Sequence, residues 1–312
     1  MSDAAPLVAI VGPTGSGKSD LALHLCEALG GEVVNCDSLQ LYRYFDIGTA
    51  KAPVSDRRGV PHHLIDILDP GELFTAGEYA RRARPLLEDI SARGRLPVVV
   101  GGTGFYLRAL IEGLFPGPAR DEVLRARLDV RETRRAGSLH RILSRFDPAA
   151  ASAIHPHDVP KTIRALEVCL LTRRPMSAWF GERRDALTGF RVIKIGLDPP
   201  RDALYQRIDA RCEGMFEAGL VDEARAILAM GYPKSSKPFE SLGYSQALQV
   251  ADGAIGLKEA IESAQRDTRR YAKRQRTWFR ADPEVEWLHG FGDSSEVKRE
   301  ALERVRARLD CV

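Results

Sequence analysis

The sequence predicts an α/β protein, a parallel sheet of the P-loop NTPase type with an all-helical subdomain inserted into it. Three observations carry this. A short apolar run, residues 6–11 (PLVAIV), leads directly into Gly12-Pro13-Thr14-Gly15-Ser16-Gly17-Lys18-Ser19 and then into an amphipathic stretch from Lys18 to Leu29. Further short apolar runs at 32–36 (EVVNC), 95–100 (RLPVVV), 190–197 (FRVIKIGL) and 284–288 (EVEWL) alternate with helical patterns. Such alternation reads as a parallel sheet covered on both faces. Residues 119–185, by contrast, hold no strand pattern and are rich in Arg, Ala and Leu at helical spacing.

Each element has its own signal. The strands are apolar throughout, as burial on both faces requires. The first helix stops at Gly30-Gly31. Helical patterns follow at about 75–93, 103–112, 201–218, 219–230 and 256–280, and the tail from about 291 reads as one polar, amphipathic helix. Within 119–185, breaks fall at Ala136-Gly137, Asp147-Pro148, His155-Pro156 and Arg174-Pro175. The expected division is a core of 1–118 with 186–312, and a helical subdomain of 119–185.

Composition excludes several classes. Of 312 residues, 44% are hydrophobic and 29% charged, which is ordinary for a globular chain and excludes disorder. No apolar run approaches the ~20 residues of a membrane span. The start, MSDAAPLVAIVG, lacks the basic segment of a secretory signal, so a cytoplasmic protein is expected. Cys26, Cys36, Cys169, Cys212 and Cys311 are scattered, odd in number and never in a CxxC pair. They read as small buried hydrophobes rather than disulfides or zinc ligands. The net charge of +3 says little until its distribution is known.

Gly12 to Ser19 matches GxxxxGK[ST] in full, after a strand and before a helix. Glycines let backbone N–H groups converge on phosphate oxygens, and the helix N-terminus adds partial positive charge. Lys18 adds a full charge, and the Ser19 hydroxyl can ligate Mg²⁺. Any diphosphate or triphosphate satisfies such a loop. Asp37 follows EVVNC, so it lies at the carboxyl end of a strand, where parallel sheets hold ligands. It could bind Mg²⁺ or act as a general base, or it could cap the turn Asp37-Ser38-Leu39-Gln40. The strand RLPVVV ends in Gly101-Gly102-Thr103 and lacks the acid that an ordinary NTPase places there for its metal. Thr103 offers a hydroxyl instead, or an N-cap for the helix after it.

Taken together, GPTGSGKS, CDSLQLYRYFDIGTAK (36–51), PHHLIDILDP (61–70), GGTGFYLRALIEGL (101–114), IHPHDVPKTIRALEV (154–168), LGYSQ (242–246) and RRYAKRQRTWFR (269–280) resemble the bacterial tRNA dimethylallyltransferases, in family order and over nearly the whole chain. That family moves a dimethylallyl group from dimethylallyl diphosphate to N6 of the adenosine immediately 3′ of the tRNA anticodon. The resemblance implies that the loop binds a prenyl diphosphate and Mg²⁺, which accounts for the missing acid. It implies Asp37 as general base for the amine, Lys18 and the loop amides on the diphosphate, and Thr103 near the diphosphate or amine. Arg207 and Arg211, at i, i+4 in QRIDAR, are candidates for further diphosphate contact, or a solvated face paired with Asp209 and Glu213.

The resemblance also implies contacts to the tRNA anticodon stem-loop from Asp37, Ser38, Leu39, Gln40 and Thr103, from Lys161, Thr162, Ile163, Arg164 and Ala165, and from Gly243 and Tyr244. In the run 266–280, Arg266, Arg269, Arg270, Lys273, Arg274, Arg276 and Arg280 oppose Asp267 alone. There Lys273, Arg274 and Arg276 are expected on phosphate and Trp278 in the core. Arg127, Arg131, Arg134 and Arg135 share a helical face suited to an RNA backbone, or to water. His155, Pro156 and Asp158 shape a turn, and His155 and His157 have no Cys nearby that would make them a metal site. Ser245 stands where many family members carry a basic residue, which implies one fewer phosphate contact. Nothing in the sequence demands more than a monomer, and no membrane or obligate protein partner is expected. The competing readings are an adenylate isopentenyltransferase acting on free AMP, ADP or ATP, and a P-loop small-molecule kinase.

Overall fold

A computed structural model describes residues 4–180, 182 and 184–310. In chain order the elements are β1 (Ala5–Val11), α1 (Lys18–Leu29), β2 (Gly31–Asn35), β3 (His62–His63), α2 (Ala76–Ala92), β4 (Leu96–Val100) and α3 (Gly104–Ile111). Next come α4 (Glu122–Arg134), α5 (Ser138–Phe146), α6 (Pro148–Ala153) and α7 (Val159–Thr172). The chain then returns through β5 (Phe190–Leu197), α8 (Arg201–Glu217), α9 (Leu220–Ala229), α10 (Tyr244–Ala251), α11 (Leu257–Arg280), β6 (Val285–Leu288) and α12 (Ser295–Asp310).

Two compact units result. One takes in the chain up to Ile111 and from Leu187 onward, and the other is Glu112–Ala186. The expected boundaries at 118/119 and 185/186 shift on the N-terminal side, because α3 ends at Ile111 and the Leu187 amide bonds the Ile111 carbonyl at 2.9 Å.

The first unit is built on one sheet. Among the described residues its strands run in the order β3-β2-β4-β1-β5-β6, all parallel. β2 and β4 are buried at every residue, the signature of a sheet covered on both sides. Val8, Ile10, Val98 and Ile195 meet Leu21 and Leu25 of α1 and Val297, Ala301 and Val305 of α12 in one core. The sequence pattern does not reveal β3. Its two residues carry no apolar run, yet they pair with Val33 and Val34. His63 Nε2 lies 2.7 Å from Glu32 Oε2, and the Arg93 guanidinium, set against partial burial, holds the Glu32 carboxyl down at about 2. Nor does it reveal α10, since LGYSQ reads as a motif rather than a periodic stretch. Cys26, Cys36, Cys169 and Cys212 are free and buried, and Cys311 lies outside the described residues.

The helical unit has its own core, built from Leu128, Leu139, Leu143, Ile154, Ile163 and Leu166. Asp147 caps α6 and Asp158 caps α7 through their side chains.

Candidate active site

The phosphate loop joins β1 to α1. At Gly12 φ is 145°, and a Cβ would sit 2.9 Å from the Leu197 carbonyl oxygen, so the backbone can turn there only without a side chain. Pro13 is buried and its carbonyl accepts from Lys18 Nζ at 2.7 Å. Burial lowers the Lys18 ammonium to about 8, with Asp37 opposing and Arg211 adding to the fall. Ser16 is fully buried and its Oγ has no partner. The Thr14 amide donates to Gln275 Oε1 at 2.8 Å. Ser19 is exposed on the first turn of α1.

Asp37 stands just past β2 and lines a cavity of about 560 Å³. Its Oδ1 accepts from the Leu39 amide at 2.9 Å, so it caps the turn and faces the cavity at once. The two roles proposed for it are compatible. Thr103 is not a side-chain cap for α3. Its Oγ1 accepts from the Ser38 amide at 3.0 Å, and its amide donates to the Cys36 carbonyl at 3.2 Å. The loops after β2 and β4 are thereby locked together.

Gln275 is the residue that sequence reasoning missed. Buried on α11, it donates from Nε2 to the Gly102 carbonyl at 2.9 Å while accepting from Thr14. One amide thus ties the phosphate loop to the GGT loop. The available signal was its place one turn before Phe279 on the apolar face of a basic helix.

The arginines divide. Arg211 lines the cavity and makes no hydrogen bond or ion pair among the described residues, and burial lowers its pKa. Arg207, expected beside it on the diphosphate, is instead bound to Asp293 at 3.0 Å and lies over the Phe291 ring. Although the two arginines share a helical face, the Asp293 pair draws the Arg207 guanidinium away, and it does not line the cavity. Asp209 pairs with Arg269 rather than with either of them. Arg274 lines the cavity and stacks 5.7 Å from the Tyr271 ring centroid, and Lys273 is exposed. Arg276 is drawn away to buried Asp198 at 2.7 Å, which also holds Arg280. Trp278, expected in the core, is 42% exposed with the Arg108 guanidinium 5.0 Å over its ring, and Phe279 fills the core position.

The cavity has two chemistries. Thr14, Asp37, Ser38, Arg211 and Arg274 give it a polar, cationic part. Leu39, Tyr42, Tyr106, Ile208, Met215, Phe216 and Leu220 give it an apolar wall. Gly243 also lines it, but Tyr244 is fully buried with its hydroxyl bonded inside the protein, so it cannot meet RNA directly. The Gln40 side chain is likewise engaged, donating to the Thr49 carbonyl at 3.1 Å.

In the helical unit, Lys161 is exposed and paired with Asp158 at 2.6 Å. Thr162, Ile163 and Ala165 are buried, so the expected contact segment narrows to Lys161 and the half-buried Arg164. Arg164 itself bonds Glu167 at 2.6 Å and the Pro118 carbonyl at 3.1 Å. Arg127, Arg131, Arg134 and Arg135 are exposed and carry no ion pair among the described residues. Ser245 donates to Gln246 Oε1 at 2.9 Å. No group of three or more His, Cys, Asp or Glu side chains that could hold a metal occurs among the described residues.

Comparison with known proteins places this geometry. The model of the IPP transferase family matches residues 40–282. The chain belongs to the IPP transferase family. It is 65% identical over 300 residues to the tRNA dimethylallyltransferase of Solibacter usitatus, covering 96% of this chain and 98% of that protein. The tRNA dimethylallyltransferase of Koribacter versatilis is 55% identical, with the same coverage. The crystal structure of the full-length tRNA isopentenylpyrophosphate transferase of Bacillus halodurans is 40% identical with a TM-score of 0.73, over 98% of this chain and 97% of that one. A eukaryotic dimethylallyltransferase acting on tRNA is 28% identical with a TM-score of 0.79, over 97% of this chain and 77% of that one. The fold of the family is therefore the fold of this chain. Among the described residues no helix is long and apolar enough to cross a membrane.

Proposed function

We infer that the protein transfers a dimethylallyl group from dimethylallyl diphosphate to N6 of the adenosine immediately 3′ of the tRNA anticodon, releasing diphosphate. The observation that carries this is one cavity in which Thr14 of the phosphate loop, Asp37 and Arg211, which makes no hydrogen bond or ion pair among the described residues, stand together with an apolar wall. The aliphatic and aromatic side chains of that wall suit the branched hydrocarbon chain of a prenyl group.

The chemistry follows from the residues. The N6 amine attacks the allylic carbon, the carbon–oxygen bond to diphosphate breaks, and the amine proton passes to the Asp37 carboxylate. Lys18, the loop amides and Arg211 neutralise the departing diphosphate. The Asp37–Thr103–Ser38 lattice holds the base in place, and the Gln275 amide fixes it relative to the phosphate loop. Mg²⁺ fits this donor set, because it is commonly held by one protein oxygen, substrate phosphates and water, and Ser19 supplies the protein oxygen. When bound it adds positive charge to the diphosphate. The single chain carries the whole cavity, so the reaction needs no second copy, and a monomer acting in the cytoplasm is proposed.

Incubation with dimethylallyl diphosphate and Mg²⁺, with either an adenosine-bearing anticodon stem-loop or AMP, tests the reading. Prenylation of the stem-loop is expected. Prenylation of AMP alone would make the protein an adenylate isopentenyltransferase, and ATP consumption with neither product would make it a kinase.

Two further outcomes are expected. Because burial lowers the Lys18 pKa to about 8, binding of inorganic pyrophosphate near pH 8 should draw protons onto the Lys18 amine. Calorimetry in buffers of different ionisation enthalpy measures this, and Lys18→Met should abolish it. The sign for folding is opposite to that of a salt-bridged lysine. Between pH 8 and 10.5 the unfolded chain holds the extra proton, so the ligand-free protein gains stability as pH rises through that window. In the helical unit, Arg131→Ala and Arg134→Ala should weaken stem-loop binding and lower its salt slope by about one for each phosphate no longer neutralised, with pyrophosphate affinity unchanged. An unchanged salt slope would leave these arginines as a solvated face.

A further inference from the structure

Three consecutive backbone amides are captured by one side chain and its neighbour. The Ile47 amide donates to Glu223 Oε2 at 2.9 Å and the Asp46 amide to the same oxygen at 3.3 Å. The Gly48 amide donates to the Tyr244 hydroxyl at 3.1 Å, and that hydroxyl donates to Glu223 Oε1. Burial and the Glu223 charge push the Tyr244 phenol well above its ordinary value, so it stays a donor. Its ring packs against Gly48: a Cβ at residue 48 would run into it, which only glycine avoids. Phe45 completes the packing, with ring centroids 4.7 Å from Tyr244 and 5.0 Å from Phe239.

The position of this clamp gives it a consequence. Gly48 and Thr49 line the cavity, and so do Leu242 and Gly243, which directly precede Tyr244 in the chain. The Thr49 carbonyl accepts from Gln40, the last residue of the turn that Asp37 opens. Hydrogen bonds therefore run from Glu223 through the 46–49 loop and Gln40 to the segment carrying the base. None of them is shared with the phosphate loop, whose partners are Gln275 and the Gly292 amide.

We propose that Glu223, acting with Tyr244, is a positioning residue for the acceptor nucleoside: it sets the cavity wall and the Asp37 turn against the incoming adenine without contributing to diphosphate binding. This rests on the transfer reaction proposed above. The carboxylate acts as an internal anion seated in a run of amides, and its charge is what orders a loop that has no secondary structure of its own.

The test uses the full chain. Glu223→Gln keeps the shape but turns an NH₂ group toward donors. It should lower kcat on the anticodon stem-loop by about 10–100-fold, the scale of a misplacement near 1 Å. The Kd for inorganic pyrophosphate with Mg²⁺ should stay within about twofold by the same argument that no bond is shared. Tyr244→Phe should have a smaller effect in the same direction, and the double variant should be no worse than Glu223→Gln, as members of one network are non-additive. An unchanged kcat in both single variants overturns the proposal, and so does pyrophosphate affinity falling in step with kcat, which a general folding defect would produce. If the wild-type protein prenylates no stem-loop, the transfer reading itself fails. Amide exchange then judges the clamp: Glu223→Gln should speed exchange at Ile47 and Gly48, and equal rates in the two proteins overturn it.

Discussion

Asp37→Asn is expected to lower kcat on the anticodon stem-loop by about 10²–10⁴-fold, the range for a lost general base. Asparagine is the informative replacement. Asp37 Oδ1 caps the turn by accepting from the Leu39 amide, and an asparagine oxygen can do the same. Geometry is kept while the proton acceptor is lost. Asp37→Ala removes both, so the difference between the variants measures what the cap contributes. Pyrophosphate affinity should not fall in Asp37→Asn. The carboxylate sits close enough to raise the Lys18 pKa, and removing a negative charge beside an anion site favours the anion. A kcat within about threefold of wild type would reduce Asp37 to a structural cap and require another proton acceptor.

The second large effect concerns stability. Glu167 is fully buried in the helical unit, where it accepts from Arg125 Nε and Nη2, each at 2.8 Å, from the Asp121 amide at 2.8 Å and from Arg164 at 2.6 Å. Burial alone would raise its pKa. The Arg125 bond, the Asp121 amide and Arg164 outweigh it and hold the carboxyl at about 2. Removing one member of such a pair leaves uncompensated charge, at a cost of about 3–5 kcal/mol. Arg125, with its side chain only 20% exposed, cannot recover that loss in water. Glu167→Gln should therefore destabilise the 112–186 unit, read by amide exchange in that segment or by its urea midpoint. The pH dependence has a definite sign. The carboxyl is depressed in the folded state, so its contribution is complete above about 4.5 and is lost as pH falls toward 2. A loss below about 1 kcal/mol, with unchanged acid stability, would show the pair to be dispensable.

Glu167 also explains why the arginine-rich insertion does not present all of its arginines to solvent. Arg125 and Arg164 are structural, while Arg127, Arg131, Arg134 and Arg135 remain exposed. Composition alone does not separate these sets, since each arginine has the same intrinsic charge and its neighbour decides whether that charge meets water.

What contiguous residues determine here is what backbone chemistry determines. GxxxxGK[ST] after an apolar strand encodes a ring of amides at a helix N-terminus, and that geometry is local. The strand ends carrying Asp37 and Thr103 were likewise legible, because a parallel sheet puts every such end on one edge. The tertiary structure decided the rest through partners far apart in the chain. Gln275 meets Thr14 across 261 positions, and Glu223 meets Ile47 across 176. Arg207 left the site because Asp293 was available, and Arg276 because Asp198 was buried beneath it. Trp278 left the core expected for it, and Phe279 is buried there, because a helix turns by about 100° per residue and packing selects which of two adjacent aromatics faces inward. A periodic pattern specifies that a helix has an apolar face, whereas which side chain is desolvated, and by which partner, depends on contacts that exist only once the chain has folded.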